Sequence, residues 1–335
     1  KNLKKAGFPE VVDSRGETAF VWQQKNYFMA AITESLGTKN LVADAMRKIT
    51  GKTYYDVIGH DTVASAVNDL ACVGAKPLDV HAFWAVGESE WFDDKERIKD
   101  LVSGWESACN LSEATWGGGE TPSYYDIVEK STIALGSSVV GIIKNKKRLL
   151  NDKKLKAGDR IVLIKSNGVN ANGISLTRAI AKKLPKGYGT KLPSGQLYGE
   201  ALLTKTNIYA SLIQKLLDST IHIHYISNIT GHGMRKVMRA RGDFTYIIEK
   251  IFEPQEIFSF IQKYANLTDS EMYHMYNMGQ DYALFVPQKD VKHAQRIIKK
   301  MGFESIDAGY IKKGERKVII KPKNIEYGGD KLDLR

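Results

Sequence analysis

A run of three glycines ending in a carboxylate, Trp116-Gly117-Gly118-Gly119-Glu120-Thr121-Pro122, stands out among the 335 residues. Consecutive glycines leave backbone N–H groups open to an anion and allow backbone angles that side chains forbid. Amides that hold phosphate oxygens, beside a Glu120 that can hold Mg2+ or a substrate amine, suit phosphoryl transfer. A glycine loop capped by a solvated glutamate is the plain alternative. Three other segments offer the same kind of site. In Thr33-Glu34-Ser35-Leu36-Gly37-Thr38-Lys39, an apolar run at 27–32 passes into an acidic residue, a glycine turn, a hydroxyl and a lysine. That order suits a strand end that meets a nucleotide and its metal, or an ordinary strand-to-helix turn. In Gly59-His60-Asp61 through Leu70 the period is helical: Val63, Val67 and Leu70 share one face, and Asp61, Ser65, Asn68 and Cys72 another. No Lys or Arg occurs between Lys52 and Lys76. Asp61, Asn68 and Asp69 are therefore expected to face something other than bulk water, and a buried carboxylate needs a cation or donors. An N-cap at Asp61 with a solvated helix face is the alternative. Finally, Ser166-Asn167-Gly168-Val169-Asn170-Ala171-Asn172-Gly173 joins an apolar strand to a helix, and a Gly/Asn loop at a helix N-terminus favours anions. A plain strand-to-helix connection would look the same.

These segments need rigid elements to bring them together, and the pattern predicts two α/β halves. The first, 1–148, carries the helix at 61–73, a strand at 79–86, an amphipathic helix at 94–109 with Ile98, Leu101, Val102 and Trp105 on one face, and a strand at 132–143. The polar stretch 144–158 is the boundary. The second, 149–335, has a strand at 160–164, helices at 174–184, 199–218, 233–239, 254–265 and 291–300, and strands at 244–248, 281–287 and 304–311. No repeat of 20–50 residues interrupts this order.

Hydrophobic residues are 43% and charged residues 26%, the balance of a globular chain rather than a disordered one. No apolar run nears ~20 residues, so no membrane span is expected. Cys72 and Cys109 make no disulfide framework, and free core thiols in a cytoplasmic enzyme are expected. The net charge of +11 comes from dispersed lysines without an aromatic-interleaved basic strip, so solvated faces account for it better than a nucleic-acid surface, and a phosphorylated small-molecule partner would also favour a positive field. Gly51-Lys52-Thr53 is no phosphate-binding loop, because Met46 stands where its first glycine belongs. His222 and His224 lack a third metal ligand nearby.

In order and spacing, the segments resemble the phosphoribosylformylglycinamidine cyclo-ligase (AIR synthetase) family. The resemblance runs from about residue 27 to 320. It rests on Glu34 to Lys39, Gly59 to Asp69, Gly74 to Leu78, Gly118 to Thr121, Ser166 to Leu176, Leu202 to Tyr209, Ile229 to Gly233 and Tyr276 to Gly279. It implies an ATP-dependent ligase that closes the imidazole ring of formylglycinamidine ribonucleotide. It also implies a homodimer in which strands of the first half form a barrel with a second copy, and a second half built as a sheet covered by helices. Mg2+ would be held by Glu34, Asp61 and Asp69. Gly37, Thr38, Lys39, Asp61, Asn68, Gly117, Gly118 and Gly119 would hold the nucleotide, with Lys39 neutralising phosphate and Glu120 as ligand or orienter. Asn170, Asn172 and His232 would line the second substrate, and His60 and His232 are candidates to move a proton. The chain departs from the family where Glu34 replaces an aspartate, where Asn170 and Asn228 replace histidines, and where Met234–Arg239 replaces an acidic-Asn-x-Pro-Arg pattern. A paralogous enzyme that phosphorylates another small molecule, as thiamine-phosphate kinases do, and a non-catalytic nucleotide-binding dimer are the other readings.

Overall fold

A computed structural model describes residues 2–332 of the chain. Its first half contains α1 (Asn2–Lys5), β1 (Phe20–Gln23), β2 (Phe28–Ser35), α2 (Asn40–Thr50), α3 (Tyr55–Cys72), β3 (Lys76–Val86), α4 (Lys95–Leu111), β4 (Thr115–Glu120) and β5 (Ile133–Ile143). The five strands form one sheet in the order β1-β2-β5-β3-β4, antiparallel except for the β3–β4 pair. Alternation decides its two faces. Val21, Ala30, Val139, Val80 and Trp84 point inward and are buried. The opposite face carries Phe20, which pairs with Ala31, which pairs with Val140. Phe20, Val140, Leu78 and Phe83 remain 45%, 37%, 39% and 42% exposed, so the single chain leaves a partly apolar sheet face uncovered.

Helix α3 lies under the inner face, and fifteen of its eighteen residues are buried. A helix buried on all sides is a central element rather than a surface one. Two glycines let α4 cross it closely. A Cβ at Gly59 would stand 2.3 Å from the Leu101 carbonyl oxygen, and one at Gly104 only 2.0 Å from that of Asp56. Asp94 starts α4 by accepting from the Arg97 amide at 3.1 Å.

The second half contains β6 (Arg160–Lys165), α5 (Ile174–Lys183), α6 (Tyr198–Leu202), α7 (Ala210–Leu217), β7 (Tyr225–Asn228), β8 (Phe244–Ile248), α8 (Glu256–Ala265), α9 (Asp269–Met275), β9 (Gln280–Val286), α10 (Val291–Lys300), β10 (Ser305–Lys313), β11 (Lys317–Ile320) and β12 (Ile325–Gly328). Its seven-stranded sheet runs β12-β11-β8-β10-β6-β9-β7. Every residue of β9 is buried. Helix α10 packs on β10 and β6, and α7 packs on both α10 and α3, so α3 touches both halves.

The architecture is the two-sheet α/β arrangement expected, with local differences: α3 starts at Tyr55, so Asp61 is inside the helix and not its cap, and α2, α9, β11 and β12 add to the expected elements. The helix expected at 199–218 is two short helices, because the backbone of 203–209 hydrogen-bonds to Lys39 and to side chains of α3 instead of to itself. The glycine loop at 116–119 is strand β4. At 233–239 the chain forms a short 3-10 helix, Gly233–Met238, lying against β7, β8 and β11. Cys72 and Cys109 are free and buried. No helix among the described residues is long and apolar enough to cross a membrane.

Gly104→Ala tests the α3–α4 crossing. Backbone carbonyls cannot rotate away as side chains do, so a loss of about 1–3 kcal/mol is expected in urea unfolding. Ser107→Ala, exposed on the same helix, should leave the midpoint nearly unchanged.

Candidate functional site

The polar face of α3 meets the strap 203–209 from the second half. Lys39, fully buried at the start of α2, donates to Asp61 Oδ2 at 2.5 Å and to the Thr204 carbonyl at 2.9 Å. The other oxygen, Asp61 Oδ1, accepts from the Thr206 amide at 2.9 Å. His60 Nε2 donates to the Thr206 carbonyl at 2.8 Å. Asn68 receives the Tyr209 amide and donates to the Asn207 carbonyl, both at 2.8 Å. Asp61, His60 and Asn68 are therefore each tied to main-chain groups of the strap. Asp61 does face a cation and donors, but the cation is Lys39.

Beside this seam lies a cavity of about 100 Å³. Glu34, Asn68 and Asp69 form its wall on the first half. Asn170, Asn172, Asn228, Thr230 and Asp281 form the wall on the second, and Thr206 and Tyr209 of the strap close the gap. Glu34 comes from the end of β2, where the strand runs out from under the sheet. Asn228 ends β7, and Asp281 is the second residue of β9. The strands of the two sheets thus deliver their ends to one place.

Desolvation sets the electrostatics. Burial, and next the charge of Asp69, push Glu34 up to about 7. Burial raises Asp281 to about 6, held from rising further by hydrogen bonds from Tyr209 at 2.7 Å and Asn170 at 2.8 Å. Asn228 donates to Asp69 Oδ1 at 2.7 Å. Behind Thr230, the ammonium of Lys236 donates to the Thr230 hydroxyl at 2.7 Å, and burial lowers its pKa. Burial also lowers His60, and burial together with Lys236 lowers His232.

The structure thus gathers Glu34, Asn68, Asp69, Asn170 and Asn172 around one cavity and leaves the other expected site residues elsewhere. Lys39 and Asp61 are sealed in their ion pair with no exposed surface and do not line the cavity. Among the described residues no group of three His, Cys, Asp or Glu side chains is disposed to hold a metal, and the trio Glu34, Asp61, Asp69 is not one cluster. His60 is tied to the strap. His232 lies two residues past Thr230, outside the cavity lining. Gly37, exposed, and Thr38, half-buried, lie in the turn between β2 and α2. Gly117, Gly118, Gly119 and Glu120 belong to edge strand β4 and do not line the cavity. Two of the three glycines have a packing cause: a Cβ at Gly117 would stand 2.1 Å from Asp79 Oδ1, and one at Gly119 2.4 Å from the Ala82 carbonyl. Sequence reasoning missed Asp281. The signal was a lone acidic residue opening a run of apolar ones, in the stretch Gln280-Asp281-Tyr282-Ala283-Leu284-Phe285-Val286.

Comparison with known proteins covers both halves. The description "AIR synthase related protein, N-terminal domain" matches residues 16–143, and "AIR synthase related protein, C-terminal domain" matches 156–321. The phosphoribosylformylglycinamidine cyclo-ligase of Methanocaldococcus jannaschii is 31% identical over 277 residues, 82% of this chain and 75% of that protein. The enzyme of the same name from Clostridium novyi is 31% identical over 317 residues, 93% of this chain and 90% of its own. Among solved structures, AaThiL complexed with AMPPCP and TMP superposes with a TM-score of 0.65 at 14% identity, covering 98% of this chain and 93% of that one. The hydrogenase maturation protein HypE in complex with ATP gives 0.64 at 13%, covering 92% and 85%. At such identity these two share the fold.

The raised carboxyl of Glu34 predicts a pH signature. Folded, Glu34 keeps its proton to about 7, whereas its ordinary value is 4.5. Between those values the folded state binds more protons than the unfolded, so stability falls as pH rises through the window and the penalty is complete above it. Glu34→Gln removes the penalty. Its melting temperature should exceed that of the wild type at about pH 8 and match it near pH 4. Equal melting at both pH values would contradict a desolvated Glu34.

Proposed function

The chain belongs to the AIR synthase related family through both of its halves, and from that membership we propose that it is an ATP-dependent phosphoribosylformylglycinamidine cyclo-ligase of purine biosynthesis. The carrying observation is that family segments far apart in sequence, at Glu34, Asn68–Asp69, Asn170–Asn172 and Asn228–Thr230, line one cavity between the two sheets. In the proposed reaction the formyl amide oxygen is phosphorylated by ATP. The amidine nitrogen then attacks the activated carbon, and phosphate leaves as the imidazole ring closes. This chemistry asks mainly for positioning, which supplies roughly 7–11 kcal/mol when the nucleophile is held against its target. A cavity with walls fixed from both sheets suits that demand.

Glu34 and Asp69 fit one Mg2+: they are neighbouring carboxylates in a desolvated wall, and Mg2+ usually takes one or two carboxylates together with phosphate oxygens. Bound there, the ion would neutralise phosphate charge. We assign no such role to Asp61. We assign Lys39 and His60 to joining the halves, and we retain Asn170 and Asn172 for the substrate, with His232 near its margin. A phosphate-holding role for Gly117–Gly119 and Glu120 belongs to the sheet edge: Glu120 is in register with Phe83 of the uncovered face. We take 1–148 and 149–335 as the two domains and the cytoplasm as the compartment, where two free thiols are stable.

The uncovered sheet face supports a homodimer built through the first half, burying more than about 1,000 Å². Light scattering at micromolar concentration should give twice the chain mass, and Val140→Glu, which puts a charge in the middle of that face, should give the single mass. A wild-type monomer would count against this assembly.

The activity test is ADP release with formylglycinamidine ribonucleotide. Turnover that falls at least about 100-fold in Asp69→Asn, with its melting temperature preserved, supports the assignment. ADP release only with another phosphate acceptor would point to a kinase paralogue, and tight ATP binding without release to a non-catalytic dimer.

A further inference from the structure

Asn170 is 7% exposed and lines the cavity. Its Nδ2 donates to Asp281 Oδ1 at 2.8 Å, while its Oδ1 has no hydrogen-bond partner. Asp281, 1% exposed, is itself held: Tyr209 donates to Oδ2 at 2.7 Å and Asn277 Nδ2 to Oδ1 at 3.2 Å. An ionised carboxylate only accepts hydrogen bonds. The amide must therefore turn its nitrogen toward Asp281, because the flipped form would set oxygen against oxygen. That fixes the Asn170 oxygen as a buried acceptor in need of a donor, and buried polar groups without partners are rare and costly. The rest of the wall has the same polarity. Glu34, Asp69 and Asp281 line the cavity, and no Lys or Arg is among its described lining residues; Lys236 stands behind Thr230. The Thr206 hydroxyl of the strap also lacks a partner.

We propose that Asn170 Oδ1 accepts a hydrogen bond from an amidine N–H of the substrate, and that Asp281 is the positioning residue that fixes the amide for it. The inference rests on the cyclo-ligase reading. Of the groups on that substrate, the amidine presents the most N–H donors and is the one that readily carries positive charge, and it is what a wall of acceptors and carboxylates selects. The site thereby tells an amidine from the corresponding carbonyl compound. The carbonyl compound offers an oxygen at that point and leaves the Asn170 oxygen facing a second acceptor.

Calorimetry without ATP tests this on the full chain, with formylglycinamidine ribonucleotide and with its carbonyl counterpart, in which oxygen replaces the amidine nitrogen. The wild type should bind the amidine about 10- to 100-fold more tightly. Asn170→Gly removes the amide and tolerates the left-handed backbone at this position, where φ is 58°; its preference should fall to near unity. Asp281→Asn keeps the shape of the wall but frees the Asn170 amide to turn over, and should lose most of the preference while circular dichroism stays native. An Asn170→Gly preference equal to that of the wild type, or a wild type that binds both compounds equally tightly, overturns the inference and leaves the cyclo-ligase reading in place. A full preference in Asp281→Asn overturns the positioning role. Failure of the wild type to bind either compound overturns both the inference and the cyclo-ligase reading.

Discussion

The buried pair of Lys39 and Asp61 is the constraint on which the two halves depend. Both groups are removed from water entirely, a state tolerated only when each charge is paired and its remaining hydrogen-bonding capacity is filled. Part of that capacity is filled from the other half of the chain, by the Thr204 carbonyl and the Thr206 amide. Neither half can therefore satisfy the pair alone. Removing one partner of such a pair typically costs about 3–5 kcal/mol, because the other is left charged and buried. This makes the strap 203–209 a structural part of α3, and it sets the position of Thr206 and Tyr209 in the cavity. Tyr209 then reaches Asp281, so the constraint passes from the ion pair through one phenol to the wall of the site.

The cavity occupies the ground beside this seam where matching stops. Along α3, Asp61 and Asn68 are answered by strap backbone, whereas Asp69 is answered by the Asn228 side chain and faces Glu34. Carboxylates are left close together with their charges incompletely compensated. That arrangement is unfavourable for the empty chain and favourable once a cation or donor enters. Functional sites commonly store instability in this way.

How much of this was legible in the sequence follows from the range of each interaction. Period and composition were enough for β5, β6, α4 and α10, whose apolar spacing reflects the face they bury. They were enough to mark α3 as a helix with a polar face that does not meet bulk water. They could not say what that face meets, because Lys39 lies 22 residues away and Thr206 145 residues away in sequence. The same long-range bonding broke the helix expected at 199–218. Gly119 misled in another way: close approach to the Ala82 backbone within a sheet demands glycine as firmly as a phosphate would. Asp281 gave little local sign, since its importance comes from Asn170, Tyr209 and Asn277 converging on it.

Those convergences bear on how a proton moves in a site without the family's two histidines. Asn170 and Asn228 stand in their places, and each donates its amide to a carboxylate, Asp281 and Asp69 respectively. An amide can orient but does not titrate near neutrality. Two of the chain's histidines, His60 and His232, are pushed downward by burial, and neither lines the cavity. The groups raised toward neutrality are the carboxyls of Glu34, at about 7, and Asp281, at about 6. Acid–base help is strongest when the group titrates near the working pH. Asp281 is held on both oxygens and serves best as an anchor. Glu34 has no hydrogen-bond partner among the side chains that line the cavity with it, which leaves its oxygens open to the cation proposed beside Asp69. Asn170 and Asn228 thus hold carboxylates in place rather than titrate, and burial beside Asp69 keeps the Glu34 carboxyl raised until a cation compensates the pair.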